Sequence, residues 1–385
     1  MDRFRIWLLV IALALSGCAG IERPQMTALE QATAFPGGFE RARFASDDPQ
    51  LAQKLEADLR GNFAAHGIDD FNVLALSGGG ADGAFGAGVL NGWTKRGDRP
   101  PFRVVTGVST GALMAPFAFL GTDYDDELKD GYTDGRASGL LQSRGALALF
   151  TPGLYSSNRL KALVDSYITI DMVMALAREH AKGRRLVVAT TNLDSQTGVV
   201  WDISGIAREA VEYGWDQRLI DARDLIRQVL VASASLPGAF EPVIIRSRSP
   251  DGRILEEMHV DGSVTMPFFL LPESLTDWVL PPDLFRGGHI YVLINGKIAP
   301  GFAVTPYKPL PVVTRSLETL TRAQARTTLN DLSGYATRNN MKVSVMAMTP
   351  GITNGGLIEF DAESMRKVYD IGYQMGVSET AWQEK

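Results

Sequence analysis

The chain is poor in the residues that build disulfide-stapled or thiol-ligated proteins. Its 385 residues include one cysteine, Cys18, and four histidines. A single thiol excludes an internal disulfide framework and a metal site made of cysteines. Internal repeats, low-complexity tracts and the carboxylate spacing of a calcium loop are also missing. What remains is a globular composition, with 45% hydrophobic and 21% charged residues.

Basic residues are fewer than acidic ones, 38 against 44, and the sequence has no apolar run long enough to span a bilayer. The net charge of −6 argues against nucleic acid as a partner, because phosphate binding depends on clustered lysine and arginine. The N-terminal apolar run, residues 6–15, is too short to span a bilayer. It follows Arg3 and Arg5, and this order of a basic start and a short apolar core is typical of an export signal.

The end of that signal is Leu15-Ser16-Gly17-Cys18, which resembles a bacterial lipobox. The resemblance implies that residues 1–17 are a lipoprotein signal peptide, and that Cys18 is acylated on its sulfur and amino group. An ordinary secretory signal or a membrane anchor is the alternative. Lipid chains on Cys18 would hold the protein on a membrane. Ala19 after the cysteine, by similarity to enteric lipoproteins, favours the outer membrane of the cell envelope.

The stretch Gly107-Val108-Ser109-Thr110-Gly111 lies between a strand-like run, 102–106, and a helix-like run, 112–115. Strand, glycine-flanked serine and helix form the context of a nucleophile elbow. Ser109 would present its hydroxyl at a helix N-terminus, where free amides favour negative charge. An ordinary strand–helix turn is the alternative.

A glycine-rich loop precedes this elbow, between a predicted strand at 71–76 and a predicted helix at 81–93. Gly78, Gly79 and Gly80 leave amides open to an anion, as acyl transfer needs where an oxyanion develops. The spacing Gly78-x-Gly80-x-x-Gly83 also fits a dinucleotide fingerprint, with Asp98 in place of the ribose-binding acid. A junction without ligand is a third interpretation. No Gly-Lys-Ser/Thr follows the loop, which disfavours a nucleotide P-loop.

A serine nucleophile needs a base, and two candidates lie close together. Asp261-Gly262 ends a predicted hairpin of residues 241–246 and 253–260. His259 would share a strand face with Asp261 and is the rival base. The pattern favours a structural role for His259. The other histidines, His66, His180 and His289, lie in contexts that are atypical of a hydrolase base.

Strands and helices alternate along the rest of the chain and predict an α/β fold with three layers and a mostly parallel central sheet. A long helix over 313–337 carries a partial apolar stripe, which we interpret as facing the core. Residues 121–158 are rich in Asp, Gly and Ser and suggest either a mobile cap or a surface excursion with its own small core. Other predicted elements are strands at 185–190, 198–203, 290–295 and 341–348, and helices at 49–63, 225–233 and 362–382.

Taken in order, the Gly78–Gly83 loop, the Gly107–Gly111 elbow and Asp261-Gly262 resemble the patatin-like phospholipases and acyl hydrolases. The resemblance implies a Ser–Asp dyad, with Ser109 as nucleophile and Asp261 as base, and an oxyanion hole made of the amides of Gly78, Gly79 and Gly80. It implies no cofactor and no metal. Gly83, Gly107, Gly111 and Gly262 complete the motifs. Asp82 stands where this family commonly has a basic residue, and Ser263 where Gly or Ala is usual.

The expected organisation is a tether with a helical segment at 18–70, then a catalytic domain at 71–385 with its core at about 71–300 and an extension at 301–385. The expected function is a membrane-anchored serine acyl hydrolase acting on phospholipids, lysophospholipids or related acyl esters. One alternative is a lipid-binding or envelope-scaffold lipoprotein that keeps the fold without turnover. Another is a serine peptidase or thioesterase with the same elbow.

Overall fold

The computed structural model describes residues 22–66, 71–142, 144–145, 152–214, 216–271, 273–281, 287–349, 360–380 and 382–385. The predicted signal peptide and Cys18 lie outside the described residues. The strands are β1 (Phe35–Pro36), β2 (Arg43–Ala45), β3 (Asn72–Leu76), β4 (Val104–Val108), β5 (Arg185–Asn192), β6 (Thr197–Asp202), β7 (Val243–Arg248), β8 (Ile254–Asp261), β9 (Gly288–Ile294), β10 (Met341–Ala347) and β11 (Gln383–Glu384). The helices are α1 (Ala28–Thr33), α2 (Leu51–His66), α3 (Gly83–Arg96), α4 (Thr110–Leu120), α5 (Asp125–Thr133), α6 (Asn158–Tyr167), α7 (Ile170–Ala181), α8 (Ile203–Tyr213), α9 (Asp216–Ser233), α10 (Pro309–Arg338) and α11 (Ala362–Val377).

One mixed sheet organises the described chain, in the order β1-β7-β8-β5-β4-β3-β9-β10-β11, with β6 joining β5 to β2. The five central strands, from β10 through β9, β3 and β4 to β5, are parallel. The outer pairs are antiparallel. The predicted α/β class is therefore confirmed, and its parallel character belongs to the centre of the sheet.

Successive side chains of the central strands belong to two separate hydrophobic cores, one on each face of the sheet. Leu74 and Leu76 of β3 join the core formed with α3 to α9 and α11. Ala75 between them joins a second core on the opposite face, with Leu329 and Leu332 of α10. Because neighbouring residues of a strand point to opposite faces, both faces are covered by helices and the fold has three layers.

Two predicted segments differ from the structure at the ends of the chain. The segment predicted as a tether with helices also supplies β1 and β2, which pair with β7 and β6 at the edges of the sheet. The closing helix ends at Val377, five residues before the predicted end, and β11 pairs with β10 beyond it. The predicted domain boundaries remain predictions.

The apolar stripe of α10 faces the core along only part of the helix. Leu329 and Leu332 are buried, whereas Leu320 is 65% exposed and Ala323 is also exposed. The prediction of a core-facing stripe was therefore wrong for the N-terminal half, which extends beyond the sheet that covers its C-terminal half. No helix among the described residues is both long and apolar enough to cross a bilayer.

The described part of segment 121–158 packs into the main core. Leu128 and Tyr132 of α5, with Ala137 and Leu140, join the same cluster as α4 and α9. For the described part of the segment, the interpretation of a surface excursion with its own core was therefore wrong, because these apolar side chains join the main core. Residues 143 and 146–151 of this segment lie outside the described residues.

Candidate active site

The predicted elbow is present at the carboxyl end of β4. Ser109 lies between Val108, which ends β4, and Thr110, which begins α4. Its backbone has φ 55° and ψ −125°, a conformation that side-chain-bearing residues rarely adopt. Side chains would not fit beside it, because a Cβ on Gly111 would come within 2.6 Å of the Ser77 carbonyl oxygen. The amide of Ser109 donates to Ser233 Oγ at 3.0 Å, which ties the strained turn to the end of α9.

The sheet brings Asp261 to this serine from 152 residues away. Parallel pairing of β4 with β5 sets Val108 against Ala189, and antiparallel pairing of β5 with β8 sets Thr190 against Asp261. The carboxylate therefore ends two strands away from the elbow, and Ser109 Oγ donates to Asp261 Oδ2 at 2.6 Å. Ser109 is 7% exposed and Asp261 is 2% exposed. The predicted nucleophile and predicted base form a direct buried hydrogen bond.

The surroundings of Asp261 raise the pKa of its carboxyl group. Burial raises the pKa of Asp261 to about 6, although hydrogen bonds from Ser109 and from the Ser263 amide act in the opposite direction. The Ser263 amide lies 2.8 Å from Asp261 Oδ1. A carboxylate with this pKa is largely ionised at neutral pH and is a stronger base than an exposed aspartate.

The glycine-rich loop lies directly beside the dyad. A Cβ on Gly78 would come within 2.5 Å of Ser263 Oγ and 3.1 Å of the Ser109 Cβ. The amide of Gly78, however, donates to the Pro267 carbonyl at 3.0 Å. Gly78 is therefore a poor oxyanion donor, which corrects the predicted set of three. The amides of Gly79 and Gly80 donate to no acceptor within the described part of the chain.

The loop is held by Asn295, a residue that the sequence patterns did not single out. Its backbone amide donates to Ser77 Oγ at 2.8 Å, and its side-chain Nδ2 donates to the Ser77 carbonyl at 2.8 Å. Asn295 follows β9, which is the parallel neighbour of β3. The glycine loop and Asn295 therefore meet at the carboxyl ends of the central parallel strands. We call this end of the sheet, which also carries Ser109 and Asp261, the catalytic edge. A polar residue at the carboxyl end of the predicted strand 290–295 was the available signal.

His259 belongs to a buried polar network behind the dyad. Its Nδ1 lies 2.9 Å from Thr190 Oγ1, and its Nε2 lies 3.4 Å from Asn192 Nδ2. Burial lowers the pKa of His259, so the ring is neutral at neutral pH. Glu257 nearby accepts a bidentate ion pair from Arg43 of β2. Both ring nitrogens of His259 thus have partners other than Ser109, as the favoured structural role requires.

The metal and nucleotide alternatives depend on grouped acidic or histidine side chains and on Asp98. Across the described ranges, no three histidine, cysteine or acidic side chains are grouped to hold a metal ion. Asp98, the candidate ribose ligand, pairs with Arg96 at 2.6 Å in an exposed position. The motif glycine Gly83 instead packs against Thr110 and Tyr132, where a Cβ would overlap the Thr110 side chain.

An apolar cavity adjoins the elbow on the far side of Thr110. Tyr132 reaches it from α5 and donates to the Thr110 carbonyl at 2.9 Å. The cavity volume is about 50 Å³, below the roughly 300–1,000 Å³ that is usual for small-molecule sites. Its walls come from α4, α5, α6, α9, α11 and nearby loops: Thr110, Leu113, Phe117, Gly131, Tyr132, Ala137, Leu140, Leu163, Val164, Tyr167, Ile168, Leu230, Phe360 and Met365.

Comparison with known proteins identifies the family. No curated protein matches the sequence. The chain is similar to the crystal structure of VipD from Legionella pneumophila, at 14% sequence identity over 82% of this chain and 68% of that chain, with a TM-score of 0.35. The model of the patatin-like phospholipase family matches residues 74–272, which include the glycine loop, the elbow and Asp261. Because this match spans more than half of the 385 residues, the chain belongs to the patatin-like phospholipase family, which implies lipid-acyl hydrolase activity.

Proposed function

We propose that this protein is a serine acyl hydrolase that uses Ser109 and Asp261 as a catalytic dyad on phospholipids, lysophospholipids or related acyl esters. The observation that carries the proposal is the buried hydrogen bond of 2.6 Å between Ser109 Oγ and Asp261 Oδ2. A hydroxyl is a weak nucleophile until a base takes its proton, and this contact supplies that base directly.

The first half of the reaction transfers the acyl group to the enzyme. Ser109 Oγ attacks the ester carbonyl carbon while its proton passes to Asp261. The negative charge that develops on the carbonyl oxygen is stabilised by the amides of Gly79 and Gly80. The ester C–O bond then breaks, and the leaving alcohol takes the proton from Asp261. The product is an acyl ester on Ser109.

The second half restores the serine. Asp261 accepts a proton from a water molecule as the water oxygen attacks the acyl-enzyme carbonyl. The Ser109–acyl bond breaks, the proton returns to Ser109 Oγ, and the fatty acid is released. The raised pKa of Asp261 suits both directions, because the group must accept and return a proton near neutral pH.

Two further features belong to the same proposal. The apolar walls of the small cavity beside Thr110 support an apolar acyl group as the part of the substrate that lies next to the elbow. The lipobox-like end at Cys18 supports anchoring to the bacterial cell envelope, at the outer membrane. Radiolabelled palmitate should enter the wild-type chain and not Cys18→Ser, and equal incorporation would remove the anchor from the proposal.

A fluorophosphonate probe tests the dyad, since it bonds covalently to activated serines. Wild-type protein should be labelled, and Ser109→Ala should not be. Ser195→Ala is the matched control, because Ser195 is exposed in the turn between β5 and β6 and should leave labelling intact. The lipid-binding or scaffold alternative expects no labelling of any of the three proteins. Equal labelling of wild type and Ser109→Ala would refute Ser109 as the nucleophile.

A further inference from the structure

Exposed large apolar side chains are concentrated in one segment after β9. We call residues 302–320 the apolar projection. Phe302 is 97% exposed, Tyr307 is fully exposed at 101%, and Leu320 is 65% exposed. Val304, Val312 and Val313 of the same segment are also exposed. Large apolar groups concentrated in this way mark interaction sites, because monomeric proteins rarely leave them in water.

The charge around the apolar projection differs in sign from that of the whole chain. Residues 297–326 contain five basic residues and one acidic residue, in a protein of net charge −6. The acidic residue, Glu318, forms ion pairs with Arg315 at 3.2 Å and with Arg322 at 3.8 Å, so neighbouring arginines neutralise its charge. Lys308 is exposed between Tyr307 and the start of α10. The projection therefore combines apolar and positively charged groups.

The residues that flank the apolar projection on both sides are attached to the catalytic edge. Before its start, Asn295, which follows β9, binds the glycine-rich loop through Ser77. Beyond its end, Gln324 of α10 donates to the carbonyl of Thr265, in the turn that follows Asp261. The helix rises about 1.5 Å per residue, so the start of α10 lies about 22 Å along the axis from Gln324. The projection thus extends from the edge where the dyad lies.

We propose that residues 302–320 dock on a lipid bilayer with anionic head groups and turn the catalytic edge toward it. Phe302, Tyr307 and Leu320 enter the boundary between head groups and acyl chains, and Lys308 contacts lipid phosphates. Aromatic and aliphatic side chains beside lysine and arginine suit this boundary, where apolar bodies are buried and charges stay wet. The choice of a lipid surface over a protein rests on the proposed function.

This contact differs from a lipid anchor at Cys18. An acylated N-terminus keeps the protein near the membrane but leaves its orientation free, whereas the projection would fix which edge faces the lipid. The orientation matters because an ester must leave the bilayer to reach Ser109, which is 7% exposed.

The test uses the full chain with Cys18→Ser, so that acylation does not hold any variant on the membrane. Flotation is measured with phosphatidylcholine vesicles, with and without phosphatidylglycerol. Hydrolysis is measured on those vesicles and on a soluble short-chain p-nitrophenyl ester. The variant is Phe302→Ser/Tyr307→Ser/Leu320→Ser. The matched control is Leu29→Ser/Val279→Ser, which removes exposed apolar side chains in other parts of the surface.

We expect the parent chain and the control to float with the vesicles, more strongly when phosphatidylglycerol is present. The triple variant should lose at least about tenfold in flotation and in vesicle hydrolysis, equivalent to about 1.4 kcal/mol, and keep its soluble-ester activity within about twofold. Flotation of the triple variant equal to that of its parent would overturn the docking proposal. So would a change in oligomeric state without a change in flotation. If none of the proteins cleaves either ester, the proposed function fails, while flotation still decides the docking.

Discussion

The catalytic edge buries polar side chains, whereas the apolar projection exposes apolar ones. At the edge, a hydroxyl and a carboxylate are buried against each other, with Ser109 and Asp261 at 7% and 2% exposure. In the projection, Phe302 and Tyr307 are almost wholly exposed. Each arrangement is unfavourable unless something compensates it: hydrogen bonds for the buried polar groups, and a partner surface for the exposed rings. Both departures from ordinary packing lie in the regions that we propose for catalysis and for membrane docking.

The largest expected effect is a loss of kcat when the carboxylate of Asp261 is replaced by an uncharged amide. Asp261→Asn keeps the size of the side chain but removes the base, and kcat should fall by about 10³-fold, within the range that a general base contributes. Steady-state kinetics on a soluble ester measures this loss. His259→Ala should cause a far smaller loss of kcat per folded molecule, as determined with circular dichroism. A larger loss in folded His259→Ala than in Asp261→Asn would favour His259 as the base, and equal losses would refute Asp261 as the sole base.

The next effect in size is on stability, and it distinguishes the buried half of α10 from the exposed half. Leu329→Ala should lower the free energy of unfolding by about 2–5 kcal/mol, because it leaves a cavity in the core beside β3. Leu320→Ala, the same change on the exposed half, should alter it by less than about 0.5 kcal/mol. Denaturant titration followed by circular dichroism compares them. Similar destabilisation by both changes would show that Leu320 is packed in solution, and the contrast between edge and projection would not hold.

The smallest expected effect is a pH dependence that reports burial at the edge. The base acts when ionised, and burial raises the pKa of Asp261 to about 6, so activity is lost as pH falls through about 6. Between pH 7 and pH 5, kcat/KM on a soluble ester should fall about tenfold, since kcat/KM follows the ionised base of the free enzyme. The direct hydrogen-bond partners of Asp261 are hydroxyl and amide groups, which do not titrate in this pH range. A midpoint near pH 4, the ordinary aspartate value, would indicate a solvated carboxylate.

Local features of the site were predictable because their causes are local. A strand, a glycine-flanked serine and a helix predicted the strained turn at Ser109 from residues adjacent in the sequence. The pairing of Ser109 with Asp261 was a prediction from family resemblance, and no local pattern yields a contact across 152 residues. The roles of these residues remain predictions until the variants are measured, although the geometry supports them.

The errors arose where a distant segment decides the outcome. Gly78 was expected to offer its amide to an oxyanion, but the Pro267 carbonyl, far away in sequence, accepts it. Asn295 was missed because its importance depends on β9 pairing with β3. The stripe of α10 was assigned wholly to the core because periodicity shows which side of a helix is apolar, not how far its cover extends.

The amino-acid order by itself determined the elbow, the glycine loop, the alternating elements of an α/β fold and the export-like N-terminus, since each depends on residues within one or two turns of chain. Tertiary structure alone decided which carboxylate meets Ser109, which loop amides stay free, and which apolar side chains remain in water. The physical reason is that strain and helix or strand preference act between neighbours. Burial, hydrogen-bond competition and a shifted pKa depend on whatever the sheet places alongside.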